Sequence, residues 1–264
     1  MIAGATATGS DLVVLALNGI SNPDAYQADG KSFGLAEFGG MIKYLKQQKC
    51  SHVCMAGDVP RPDFAQLKPD MKALKYLPGA IAAAKDGDDA LLTYLVSIFE
   101  KQGFEIISPQ ELCESLLIGE GPMGAVDMAE IHHDDALKAC EIARDMGVRD
   151  IGQGAVICGG LVLAVEAQEG TDQMLDRVAS LPQAKRGDHK NRKGVLAKMV
   201  KPGQEERVDL PTIGLRTVEL ADKAGLAGIV VESGRAFCID RDAAIKAADE
   251  AGIFILGLAA SKAT

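Results

Sequence analysis

Residues 155–166 read AVICGGLVLAVE. Two apolar runs, Ala155–Ile157 and Leu161–Glu166, flank Cys158–Gly160, and paired glycines accept the positive φ angles of a tight hairpin. An antiparallel pair is therefore expected, which makes the second half of the chain α+β with a mixed sheet. Downstream, the periodicity predicts a helix at Thr171–Leu181, a basic loop at Lys185–Lys193 and a strand at Val195–Val200. A helix at Leu215–Ala224, strands at Ile229–Glu232 and Ala236–Ile239, a helix at Arg241–Ala251 and a strand at Ile253–Leu258 complete it.

Upstream of the hairpin, helical spacing covers Asp134–Met146, with Asp134 or Asp135 as N-cap. Gly119–Gly124 (GEGPMG) has no periodicity and reads as a linker or extended arm. The first half alternates differently. Leu12–Leu17, His52–Ala56 and Glu105–Ser108 read as short buried strands, and Leu35–Gln48, Met71–Leu77, Asp88–Gln102 and a segment after Pro109 read as helices. That alternation predicts a three-layer, Rossmann-like parallel sheet, with ligand loops at the strand ends, here Asn18–Pro23 and Gly57–Asp63. The expected division is an N-terminal α/β domain at 1–118, a linker at 119–133 and a C-terminal α+β domain at 134–264. No internal repeat or low-complexity tract is present.

Composition narrows the function. The chain of 264 residues is 47% hydrophobic and 25% charged, which suits a packed globular protein. A net charge of −9, with 4% aromatics and no Trp, excludes broad phosphate-backbone binding and stacking platforms, so no nucleic-acid partner is expected. Six cysteines are scattered from Cys50 to Cys238 with no secretory leader pattern before them, which predicts a reducing, cytoplasmic setting. No apolar run approaches the roughly 18 residues of a membrane helix.

Several familiar chemistries fail on spacing. Ile2–Ser10 (IAGATATGS) has the glycine separation of a phosphate loop, but Ser10 stands where the lysine belongs and a strand follows, so a plain Gly-rich connection is expected. Cys50, His52 and Cys54 lack the second ligand pair that structural zinc needs, and core cysteines are the plainer reading. The pair His132-His133 with Asp134-Asp135 points in divergent directions and reads as a helix N-terminal turn. Four histidines, no H-E-x-x-H and no G-x-S-x-G leave carboxylates, lysines and a hard cation such as Mg2+ for any hydrolase here.

Those groups gather in two places. In Leu163–Met174 (LAVEAQEGTDQM), a strand carries Glu166 outward, Gly170 turns, and Thr171 caps a helix whose first turn holds Asp172; its backbone N–H groups suit a phosphate. In Ala197–Gly214 (AKMVKPGQEERVDLPTIG), a strand gives way to a long charged loop broken by Pro202, Gly203 and Pro211. Lys198, Lys201, Gln204, Arg207 and Asp209 there supply cations, an amide and a carboxylate suited to a diphosphate and its magnesium. An ordinary capped helix and a solvated charged loop are the respective plainer readings.

The two segments, with Asp150–Val156 (DIGQGAV), closely resemble the LpxI family of UDP-2,3-diacylglucosamine pyrophosphatases. Met55–Asp63 (MAGDVPRPD), Leu67–Leu74 (LKPDMKAL) and Gly87–Leu92 (GDDALL) extend the resemblance through the first half, from about Asn18 to Leu258. The resemblance implies a magnesium-dependent homodimeric enzyme of lipid A synthesis on the cytoplasmic face of the inner membrane. It implies hydrolysis of the substrate to UMP and 2,3-diacylglucosamine 1-phosphate, with attack on the β-phosphate and the substrate held between two domains. Carried over motif by motif, it makes Asp209 the catalytic aspartate of RVDLPTIG, with Pro211 and Thr212 beside the substrate. Gly57, Arg61, Asp88, Asp89, Gln153 and Glu169 are further expected contacts, alongside Gly170, Thr171 and Asp172. Asp209, Glu166 and Asp172 are the expected metal ligands, and Lys198, Lys201 and Arg207 the expected cations. The N-terminus departs from the family pattern, because about seven residues between Gly4 and Leu12 leave no room for the helix expected there. A sugar-nucleotide transferase or a non-catalytic sensor would use similar diphosphate recognition.

One further segment matters for a lipid substrate. In Lys68–Leu77 (KPDMKALKYL), Lys68, Lys72 and Lys75 share helical spacing beside an apolar stripe of Met71, Leu74 and Leu77, closed by Pro78. This predicts either an interfacial helix or a surface helix with its apolar side packed on the sheet.

Overall fold

A computed structural model describes residues 2–7, 9, 11–21 and 28–259. The chain forms two compact units: Met1–Glu114 with Glu205–Val208, and Ser115–Gln204 with Asp209–Thr264. The end of the expected Asn18–Pro23 loop, and Thr8 and Ser10 of the Gly-rich start, lie outside the described residues.

The first unit contains α1 (Ile2–Ala7), β1 (Val14–Leu17), β2 (Gly30–Phe33), α2 (Phe38–Gln47), β3 (His52–Cys54), α3 (Met71–Asp86), α4 (Asp88–Glu100), β4 (Glu105–Ile107) and α5 (Pro109–Leu112). Its strands pair in parallel, β1 with β2 and β3 with β4, and no ladder joins the two pairs among the described residues. Its core is Ile42 and Leu45 from α2, Val96, Ile98 and Phe99 from α4, and Phe104 and Ile106 at β4, with Val208 packed against them. Three expectations change. Ile2–Ala7 of the Gly-rich start folds as α1 rather than a plain connection, because the helix begins at Ile2, ahead of the Gly4–Leu12 span in which no room is expected. Strand β2 was not anticipated: its one buried residue is Phe33, so it offers no alternation to read. Helix α3 runs on to Asp86 with Pro78 inside it. Pro78 lies on the exposed side, so the backbone carbonyl that loses its partner faces water.

The second unit contains β5 (Gly121–Pro122), α6 (His133–Val148), β6 (Gly154–Cys158), β7 (Leu161–Val165), α7 (Gly170–Ala179), β8 (Val195–Lys198), β9 (Thr212–Gly214), α8 (Leu215–Ala224), β10 (Gly228–Glu232), β11 (Phe237–Ile239), α9 (Arg241–Ala251) and β12 (Phe254–Leu258). Six strands form one mixed sheet in the order β5-β12-β10-β8-β6-β7, and β9 pairs with β11 apart from it. Strands β8, β10 and β12 run parallel, whereas β6 is antiparallel to β7 and β8. Alternate residues serve opposite faces. Val156, Leu196, Ile229, Val231 and Ile255 join Met174, Leu175 and Val178 of α7 and the inner faces of α8 and α9. Ala155, Ile157, Val195, Ala197 and Val230 join Ala136, Ala139, Cys140 and Ala143 of α6. Both faces of β8 and β10 are covered, which is why these strands read as continuous apolar runs.

The hairpin forms where expected, with Gly159 and Gly160 at φ +57° and +74°. Asp135 does not cap α6; His132 holds that position. Instead the buried Asp135 carboxylate accepts the N–H groups of Gly159 (2.8 Å) and Gly160 (2.7 Å), pinning the turn. The 119–133 stretch is built into this unit: Gly121–Pro122 pairs with β12, and Met123 is buried and donates its N–H to Ile255 O at 2.8 Å. Among the described residues no helix is long and apolar enough to cross a membrane.

Candidate active site

Parallel sheets place their ligand sites beyond the carboxyl ends of their strands. At that edge of the second unit, β8 ends on Lys198 and β10 on Glu232, both buried. The antiparallel β6 begins there with Gly154, opposite Lys198, and β7 delivers the buried Glu166, whose N–H is donated to Gly154 O at 2.8 Å. Lys198 Nζ donates to Thr212 O at 3.1 Å, tying the end of β8 to the start of β9. Two oxygens at this edge, Glu166 Oε2 and Gln153 Oε1, are buried without a hydrogen-bond partner. Glu166 Oε1 accepts the Thr171 hydroxyl at 2.7 Å.

The 199–211 loop leaves the carboxyl end of β8. Its stems are fixed by burial of Val200 and Leu210 against Phe237 and by the Met199 N–H, donated to Gln153 O at 2.9 Å. Gln204 is buried, and its Oε1 accepts the Lys201 N–H at 3.0 Å while its Nε2 donates to Asp209 Oδ2. This orients the Asp209 carboxylate from inside the loop. Lys201 Nζ reaches Asp150 Oδ1 at 2.6 Å. The second unit thus brings Lys198, Lys201, Gln204, Asp209 and Thr212 together through one loop and its stems.

The remaining expected residues fall elsewhere. Glu169, rather than Thr171, is the N-cap of α7; it pairs with Arg177, and Gly170 opens the helix at φ +77°. Asp172 is exposed and faces Arg216 at 3.4 Å. Pro211 O accepts the Phe237 N–H at 2.9 Å, next to the β9–β11 pair. In the first unit, Gly57 sits after β3 at φ +102°, and Arg61 pairs with Asp88 at 3.1 Å in the opening turn of α4. Asp89 accepts the Glu205 N–H at 2.8 Å. Arg207 is gripped by Glu205 through Nε (2.8 Å) and Nη2 (2.7 Å), and by Glu100 at 2.8 Å. The hydrogen bonds from Arg207 hold the Glu205 carboxyl below its ordinary range, and the same bonds raise the guanidinium.

Among the described residues no three His, Cys, Asp or Glu side chains gather as a metal-binding group. Glu166, Asp172 and Asp209 are therefore not assembled as one triad. Cys50 and Cys54 are free and half-buried, and burial pushes the Cys54 thiol up to about 11, so it is protonated at neutral pH. His52 meets Glu105 at the surface, 3.3 Å away. Glu232 was not anticipated: its carboxylate is paired with Arg235 at 2.8 Å. A charged residue ending an otherwise apolar parallel strand is the signal that points to it.

The fold and this edge define a two-unit α/β protein with a buried lysine at the end of a parallel strand and a carboxylate held within the loop that follows it. Comparison with known proteins gives the family. The LpxI N-terminal domain matches residues 1–116 and the LpxI C-terminal domain residues 119–256. The chain is 51% identical over 252 residues to UDP-2,3-diacylglucosamine pyrophosphatase LpxI of Caulobacter vibrioides, covering 96% of this chain and 90% of that relative. The chain belongs to the LpxI family.

Proposed function

We propose that this protein hydrolyses the diphosphate of UDP-2,3-diacylglucosamine to 2,3-diacylglucosamine 1-phosphate and UMP in lipid A synthesis. The observation that carries the reading is the near full-length kinship with a UDP-2,3-diacylglucosamine pyrophosphatase. The loop-held Asp209 gives that kinship a chemical centre.

Phosphoryl transfer asks a protein mainly for positioning and charge neutralisation. Gln204 spends both ends of its amide inside the loop, so it serves Asp209 rather than the substrate. Asp209, held in one orientation, directs the attacking water toward the β-phosphate. Lys198 offers its remaining N–H donors to phosphate oxygens, and the buried setting strengthens that attraction. Arg207, already held by two carboxylates, acts by shaping the loop.

A magnesium ion needs only one or two protein carboxylates when phosphate oxygens and waters complete its shell. Asp209 and Glu166, with its unpartnered buried oxygen, fit such an ion as hard oxygen donors, and Asp172 is engaged by Arg216. When bound, magnesium would neutralise charge on the diphosphate. The same reading makes the protein a homodimer acting peripherally on the cytoplasmic face of the inner membrane.

The test is product analysis with purified protein, radiolabelled UDP-2,3-diacylglucosamine, and magnesium or EDTA. UMP and the lipid 1-phosphate are expected with magnesium alone and no acceptor. A requirement for an added acceptor would make the protein a transferase, and intact substrate would make it a binding protein.

A further inference from the structure

Helix α3 is built inside out. Its buried residues are Ala73, Ala80 and Ala84, while Met71 is 85%, Leu74 48% and Ile81 36% exposed. The cause is close packing on α4. A Cβ at Gly79 would collide with the Tyr94 hydroxyl, so at that crossing only a small residue fits, while Tyr76 of the same side packs half-buried against the core. The exposed residues Met71, Leu74, Lys75, Pro78, Ile81, Ala82 and Lys85 follow the i, i+3/i+4, i+7 rule and form one stripe about four turns long.

The stripe carries two lysines and one acid, Asp86 at the last residue of the helix, and exposed Lys68 precedes it. Asp70, at its start, is spent on the N–H groups of Lys72, Ala73 and Gly40. A cationic, apolar strip on a chain of net charge −9 is complementary to an anionic surface. We propose that the outer face of α3 seats the protein on the anionic headgroups of a lipid bilayer. Met71, Leu74 and Ile81 dip below the headgroups while Lys68, Lys75 and Lys85 meet their phosphates.

A second copy of the chain is the less favourable occupant, because a twofold contact on this stripe opposes lysine to lysine. The assignment deepens the membrane reading given under Proposed function. It also redraws the face the sequence suggested. Lys72 is half-buried and donates to Gln102 Oε1, and Leu77 is half-buried, so neither belongs to the strip. Ile81 and Lys85, beyond Pro78, do.

Vesicle flotation tests it, with phosphatidylcholine alone or mixed with phosphatidylglycerol, at low and high salt. The variants are Met71→Ser/Leu74→Ser/Ile81→Ser and Lys68→Glu/Lys75→Glu/Lys85→Glu. The native protein is expected to float only with phosphatidylglycerol vesicles and to be released by salt. Each triple variant should lose roughly tenfold or more of that binding, with its melting temperature and its hydrolysis of detergent-dispersed substrate unchanged. No flotation of native protein, undiminished flotation of both variants, or conversion of a native dimer to monomer by either variant overturns the proposal. Flotation without hydrolysis would instead sink the enzymatic reading and leave this surface standing.

Discussion

Helices α7 and α3 both carry large apolar side chains at helical spacing, yet they place them on opposite sides. In α7, Met174, Leu175 and Val178 are fully buried against the six-stranded sheet, while α3 turns Met71, Leu74 and Ile81 outward. The difference lies in what each helix packs upon. A helix on a sheet stands far enough off for long side chains to interdigitate, whereas α3 meets α4 where Gly79 lies against Tyr94, and its most buried side chains are alanines. The sheet edge breaks the burial rule in the opposite sense, by hiding Lys198, Glu166 and Glu232. Apolar groups in water and charges out of it are the informative departures, and Met71, Leu74 and Ile81 on α3, like Lys198 and Glu166 at the sheet edge, lie where a function is proposed.

The strongest test of the sheet-edge half is Asp209→Ala. It should fold and bind substrate but lose turnover by about 10³-fold or more, in line with removal of a group acting on the transition state. Near-normal kcat would remove Asp209 from the reaction. Chelation should abolish turnover and added magnesium restore it; full activity after exhaustive chelation rejects the hard-cation mechanism. Leu175→Ala in α7 should cost ~2–5 kcal/mol by urea denaturation. Leu74→Ala in α3 should stay within about 0.5 kcal/mol of native. Similar costs at the two positions would break the comparison between the helices. The smallest effect is chemical. Burial pushes the Cys140 thiol of α6 up to about 11, so it should resist iodoacetamide at pH 8 in the folded protein and react once unfolded. Rapid labelling of native Cys140 would show that the α6 side of the sheet opens readily.

Much of the second unit was legible because its signals are local. The Gly159-Gly160 turn, the period-two runs and the helix over Arg241–Ala251 need no distant partner to be read. Pro78 misled: it lies inside α3 on the exposed side, where the missing hydrogen bond leaves no buried group unpaired. Strands β2 and β9, four and three residues long, are too short to show a period. At the site, the charge and proline content of the 199–211 loop marked it as chemical. The division of labour inside it was hidden: Arg207 finds Glu100 from 107 positions away, and Gln204 turns inward because its neighbours bury it. Asp135, which looked like a helix cap or half a metal pair, answers to a hairpin 24 residues later.

The membership of Glu205–Val208 in the first unit has a consequence for anyone who dissects or recombines this chain. A fragment ending at Glu114 would lack Val208 from its core, the Glu205 amide that occupies Asp89, and the arginine that bridges Glu100 and Glu205. A graft of the second unit alone would carry those four residues away with it. Each unit is thus continuous in space but not in the gene, so a single splice junction cannot exchange one half for that of a relative. A chimera that keeps each unit whole must be cut three times.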